Sequence, residues 1–197
     1  MVITDRQCGI EDYCRETGIP FERIEDPDNA SFSAAALERF KAGGGVDAVA
    51  LFFLRIVTAP LVSERPCFNI HPSLLPAFRG FHALHAAKES GVRFFGATLH
   101  MATSDVDAGP IVAQVCEPLP QGAVEGTIAK HSYLHKTYLF LLLMELLEKG
   151  DLVVGPSGVA LSEGLPLSAQ ANPCLRTADY LEAVHAAQRA EGLTVFP

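Results

Sequence analysis

The chain has 197 residues, 49% of them hydrophobic and 19% charged, with a formal net charge of -8. A length within the usual range of about 100–200 residues fits one domain with one sizeable core, and the balanced composition excludes a disordered or fibrous chain. The acidic balance, with no local cluster of basic residues, argues against nucleic acid as a partner, because phosphates would be repelled.

The cysteines, Cys8, Cys14, Cys67, Cys116 and Cys174, are odd in number and scattered, with no CxxC pair. Neither a disulfide framework nor a zinc site is suggested, and a reducing cytoplasm is the expected location. No basic segment followed by an apolar stretch opens the chain. The greasiest run, Leu139 to Met144, is broken by Glu145, far short of the roughly 20 residues a membrane span needs. A soluble, untargeted protein with no membrane partner is expected.

In chain order, short apolar runs alternate with helical patterns, as in βαβ units around a parallel sheet. Val2 to Thr4 reads as a strand, Ile10 to Glu16 as a helix stopped by Gly18, and Pro20 to Ile24 as a second strand. Ser31 or Ser33 is expected to cap a helix reaching about Lys41, which the Gly43-Gly44-Gly45 run ends. Val46 to Phe53 reads as a strand buried on both faces, and Cys67 to Ile70 as the next. A helix over Phe81 to Glu89, closed by Gly91, then leads to strands at Val92 to Met101 and Ile111 to Val115. The longest element is a helix from about Glu125 to Glu148. Beyond Gly150 the chain is richer in Pro, Gly and Ser up to Pro173, and Ala178 to Ala190 reads as helix. No internal repeat or low-complexity segment is present.

Three motifs follow one another between residues 46 and 116: Asn69-Ile70-His71-Pro72-Ser73-Leu74-Leu75-Pro76-Ala77-Phe78-Arg79-Gly80, then Gly96-Ala97-Thr98-Leu99-His100, then Asp105-Val106-Asp107-Ala108-Gly109-Pro110-Ile111. In order and spacing they resemble the signature loop, the next strand and the aspartate loop of the folate-dependent formyltransferases, closest to the glycinamide ribonucleotide branch. The rest of residues 1–150 resembles the family more loosely. The resemblance implies a Rossmann-like α/β fold with a mostly parallel sheet flanked by helices. It divides the chain into a catalytic domain over 1–150 and an extension over 151–197 packed on the same domain. It also implies 10-formyltetrahydrofolate as formyl donor, a small primary amine as acceptor, and no metal; a homodimer is compatible with it.

On that resemblance Asn69, His71 and Asp107 are the catalytic residues. The chemistry agrees. Formyl transfer to an amine passes through a tetrahedral intermediate whose oxygen gains charge, so donors must be aimed at it in advance. Asn69 and His71, two apart at a strand end, project to one side, where open α/β sheets bind ligands. The Asn69 amide can donate, His71 can donate as imidazolium, and Asp107 would favour that form, orient it and take the amine's proton through a water. Read singly, each residue has a plainer role: Asn69 capping a turn, Asp107 as a turn aspartate, His71 as a structural histidine.

The resemblance further places Leu54, Arg55, Ile56, Asp105, Val106 and Gly109 at the folate, and Pro72, Ser73, His100 and His135 at the substrate. Arg55 capping a strand and His100 as a core histidine are the alternatives. His82 with His85, and His131 with His135, have helical spacings that suit metal pairs, but neither brings an evident third ligand. The Gly43-Gly44-Gly45 run follows a helix and precedes a strand, the wrong order for a phosphate loop.

Three departures from the family fall on acceptor or folate recognition. Met1 to Arg6 resembles the family's second strand, so the opening strand and the phosphate-holding loop have no counterpart. Leu134 stands where the family carries a glutamate that helps hold the acceptor amine, and the strand before Arg55 is shorter. A sheet without its first strand would leave backbone groups unpaired, so Leu193 to Phe196 or a partner chain is expected to cover that edge. Two further readings stay open: hydrolysis of the formylfolate, although Pro72 stands where the hydrolase branch has a second histidine, and a noncatalytic folate-binding homologue.

Overall fold

The computed structural model describes residues 1–52, 55–119, 122–155 and 158–196, which form two compact units: Met1–Val49 with Phe53–Cys67, and Ala50–Phe52 with Phe68–Pro197. No helix among the described residues is long and apolar enough to cross a membrane.

The first unit holds β1 (Val2–Thr4), α1 (Gly9–Thr17), β2 (Phe21–Arg23), α2 (Asn29–Ala42) and α3 (Leu61–Glu64), with β1 and β2 paired in parallel. Its apolar interior is built from Cys14, Phe32, Ala36, Leu37 and Leu61. One charge is buried there. Glu11 accepts from Thr4 Oγ1 at 2.7 Å and pairs with Arg23, and the Arg23 guanidinium holds its carboxyl down to about 2. The cap of α2 is Asp28, not Ser31 or Ser33: its carboxylate accepts from Ser31 N at 2.7 Å, satisfying an orphan donor of the first turn. The Ser33 hydroxyl instead donates to Asn29 O and accepts from Thr58 N.

The five-stranded sheet runs in the order β3 (Val49–Leu51), β4 (Cys67–His71), β5 (Phe94–Met101), β6 (Ile111–Pro118), β9 (Ala171–Asn172). β4–β5, β5–β6 and β6–β9 are antiparallel, so the described pairings of the α/β fold are mixed. β3 is shorter than Val46–Phe53, whose last residue lies outside the described residues. Ala50 is exposed, so the strand is not buried on both faces. α4 runs over Ala83–Glu89; it cannot include residues 81–82, since His82 sits at φ 65, outside the helical region.

α5 spans Glu125–Glu148 as its pattern predicts and packs across β5 and β6, burying Leu134, Leu139, Leu142, Leu143 and Leu146. The Pro- and Gly-rich stretch beyond it holds a hairpin, β7 (Leu152–Gly155) with β8 (Gly158–Leu161), before α6 (Ala178–Glu191). Polar groups of α5 tie down the chain that follows. Tyr138 OH accepts from Leu175 N at 2.8 Å, and Glu145 accepts from Arg176 N and Thr177 N while pairing with the Arg176 guanidinium. Burial raises the Glu145 carboxyl, but these donors outweigh it and hold it near 2.

Leu193 to Phe196 forms no strand. Gln188 accepts from Val195 N and Phe196 N and donates to Phe196 O, so the segment turns back onto α6 and α5. The expectation that it covers a sheet edge is therefore corrected: its backbone groups are taken by a buried glutamine side chain.

Candidate active site

The centre begins with sheet register. In the antiparallel pair, Asn69 lies opposite His100 and His71 opposite Thr98. Residues two apart on a strand share a face, so Asn69, His71, Thr98 and His100 point the same way while Phe68 and Ile70 pack behind. The β5–β6 register shifts between Leu99 and His100, a bulge that re-aims the neighbouring side chain.

Asp107 arrives from the loop between β5 and β6. Its backbone adopts φ 50, an uncommon conformation for a residue with a side chain and one that clusters at functional sites. Gly109 makes the loop's path feasible. A Cβ there would lie 1.8 Å from Met101 O, so only glycine permits this approach.

These residues converge. Asp107 Oδ2 is 3.1 Å from His71 Nδ1 and accepts from Gly80 N at 2.8 Å. Asp107 Oδ1 is 3.4 Å from Asn69 Nδ2 and 3.5 Å from His100 Nε2. Asn69 Nδ2 also lies 3.2 Å from His100 Nε2, while His100 Nδ1 faces Met101 O at 3.1 Å. A carbonyl only accepts, so His100 Nδ1 donates to Met101 O, while Nε2 faces both the Asn69 amide and the Asp107 carboxylate. His71 is engaged on both sides, since its Nε2 is 2.8 Å from Phe78 O. With an acceptor on each ring nitrogen, it is fully satisfied only as imidazolium. Burial pushes the Asp107 carboxyl up, but the His100 contact, the Gly80 N–H and the His71 charge together hold it below its ordinary value.

The loop after β4 is braced from beneath. Thr98 Oγ1 donates to Ser73 O and accepts from Leu75 N and Gln114 Nε2; Gln114 also donates to Leu75 O, and Ser73 Oγ to Ala77 O. Ser73, expected at the substrate, thus spends its hydroxyl within the loop. Val106 is exposed beside Asp107, as is Asp105.

Other expected residues lie elsewhere. Leu54 is outside the described residues. Arg55 belongs to the first unit, where it donates to Asn29 Oδ1 and Asp28 O and lies over the Phe32 ring; Ile56 follows it there. His135 does not join the centre: it is fully buried with Nε2 2.8 Å from Glu117 Oε1, because its face of α5 turns into the sheet. Among the described residues no group of three or more His, Cys, Asp or Glu is placed to hold a metal ion. The residue pattern alone missed the Phe78 carbonyl and the Gly80 amide, whose signal was the Phe-Arg-Gly end of the loop motif.

Comparison with known proteins agrees with this geometry. The Formyl transferase family model matches residues 2–134. The human trifunctional purine biosynthetic protein adenosine-3 is 33% identical over 156 residues, 75% of this chain but 15% of that protein. The phosphoribosylglycinamide formyltransferase of Mycobacterium tuberculosis is 31% identical over 157 residues, 77% of this chain and 73% of that one. The crystal structure of glycinamide ribonucleotide transformylase 1 from Symbiobacterium toebii superposes with a TM-score of 0.74 at 32% identity, covering 82% of this chain and 80% of that one.

Proposed function

Because the chain belongs to the formyl transferase family, we propose that it moves a formyl group from 10-formyltetrahydrofolate to a small primary amine, with glycinamide ribonucleotide the acceptor its relatives' names point to. The observation that carries the reading is the convergence of Asn69, His71, His100 and Asp107 within 3.1–3.5 Å around one carboxylate. In this reading residues 1–150 are the catalytic domain and 151–197 its extension.

The proposed step follows from the donors. The amine nitrogen attacks the formyl carbon, and the C=O electron pair moves onto oxygen. Asn69 Nδ2, whose contacts of 3.2 and 3.4 Å are long, turns to donate to that oxygen, and the His71 cation stabilises its charge. Asp107, kept ionised, takes a proton from the attacking amine directly or through a water. The oxygen's pair then reforms C=O as the bond to the folate nitrogen breaks, and that nitrogen takes up a proton. Asp105, Val106 and Gly109 form the donor-side rim; Pro72 and His100 flank the acceptor. Leu134 is fully buried where the family's acceptor-holding glutamate would stand, so Asp107 and His100 orient the amine.

The test is loss of the formyl group from 10-formyltetrahydrofolate with and without glycinamide ribonucleotide. Acceptor-dependent loss is expected. Acceptor-independent loss would assign hydrolysis instead, and folate binding with no loss would make the chain a noncatalytic homologue.

A further inference from the structure

A second carboxylate with two histidines lies outside the candidate active site. Glu117, near the end of β6, is buried; so are His131 and His135, one turn apart on α5. His131 Nδ1 donates to Glu117 Oε1 at 2.8 Å. His135 Nε2 lies 2.8 Å from the same oxygen without completing a hydrogen bond, and its Nδ1 is buried with no partner. Both nitrogens bear on a single oxygen, an ion-pair arrangement rather than donors spread around a metal.

The walls are apolar. The Phe95 ring of β5 stands 6.1 Å from His131 and 5.2 Å from His135. Phe196 closes the other side, edge-on to His135 at 6.0 Å and stacked on Tyr138 at 4.3 Å. Phe196 and Val195 are held there by Gln188, and Gln170 Nε2 donates to Val195 O. Among the described residues, burial pushes the Tyr138 hydroxyl up to about 12 and raises the Cys116 thiol, so both stay neutral, and the Glu145 carboxylate that also bears on Tyr138 is paired with Arg176. α6 and the tail present Gln188 and Phe196, and β5 presents Phe95, none of them charged. The Lys130–Glu191 ion pair, at 3.0 Å, joins α5 to α6 on the surface.

We infer that Glu117, His131 and His135 form an internal counter-ion site whose proton count governs how firmly the C-terminal segment 193–196 is seated on α5. A buried carboxylate is tolerated only with compensating donors or positive charge, and the groups placed to supply them here are the two imidazoles. Burial raises the Glu117 carboxyl, but the two histidines outweigh it and keep it ionised. With one imidazolium the site is neutral and Phe196 covers it without cost. A second proton on the histidines, or removal of the first, leaves a net charge beneath an aromatic lid. His135 Nδ1 has no acceptor, so charging that ring also leaves an unsatisfied donor.

This gives the two halves of the site opposite responses to acid. The test is hydrogen–deuterium exchange of the full chain at pH 7.5, 6.5 and 5.5, corrected for intrinsic rates, read on peptides covering 131–138 and 190–196. The wild type is expected to change less across this range than either variant that removes one side of the pair. Glu117→Gln is protected at pH 7.5 but loses at least about tenfold by pH 5.5, as the histidines charge with no counter-ion. The double variant His131→Gln/His135→Gln does the reverse: it is poorly protected at pH 7.5, where the carboxylate is buried alone, and regains about tenfold on acidification. Phe196→Ala lowers protection at every pH without adding pH dependence. Variants that respond in the same direction, or not at all, would overturn the inference. If Glu117→Gln does not fold at pH 7.5, the double variant decides: recovery on acidification supports the site, and a flat profile overturns it.

Discussion

Two regions of this molecule use the same inventory, one carboxylate and two imidazoles, to different ends. Asp107 meets His71 and His100; Glu117 meets His131 and His135. The first carboxylate stands on a loop at positive φ, takes a backbone N–H from Gly80, and has an amide, Asn69, in reach. The second rises from a regular strand and is sealed by Phe95 and Phe196. The contrast shows that the residue set does not make a reactive centre. What distinguishes the first is a donor left for a developing charge and a loop that brings it to exposed residues such as Val106.

The largest effect that would break the comparison is at Asp107. Asp107→Asn keeps the size and removes the base, and kcat/KM for formyl transfer is expected to fall by at least about a thousandfold in steady-state assays. Asn69→Ala follows, with a loss of about 10²–10³ in kcat and little change in KM, since its donor acts mainly in the transition state. If the loss appeared in KM instead, Asn69 would be a binding residue.

Gly109→Ala tests whether the loop's path positions Asp107. The added methyl meets Met101 O, so the midpoint of urea unfolding should drop by the equivalent of about 1–3 kcal/mol, with transfer impaired beyond that loss. A smaller effect is expected from acid. Glu145 has its carboxyl held near 2 against an ordinary 4.5, so its contribution is fully present above about pH 4.5 and is lost as pH falls toward 2. Acid titration followed by circular dichroism should show wild type losing this margin, while Glu145→Gln is less stable at neutral pH and flatter through that window.

Much of this was readable from residue pattern. α5 is legible because helix-forming residues run without Pro between Val124 and Gly150, with leucines recurring along the buried face. Asn69, His71 and Asp107 stand out in the sequence because their motifs carry side-chain chemistry in fixed order. The Phe78 carbonyl and Gly80 amide escaped notice as partners because every residue has such groups, and only a fold aims them. The surroundings of His135 are hidden for a related reason: helical spacing shows which residues share a face, not what the face meets, and Glu117 comes from a different element, β6. The β7–β8 hairpin was lost in a stretch whose glycines and prolines read as loop.

The most direct measurement sets the two carboxylates side by side: formyl transfer from 10-formyltetrahydrofolate to glycinamide ribonucleotide by Asp107→Asn and by Glu117→Gln, each confirmed folded at pH 7.5. Turnover abolished in the first and retained at near wild-type kcat in the second is the predicted result. Transfer that survives in folded Asp107→Asn, or that vanishes in folded Glu117→Gln, would contradict it.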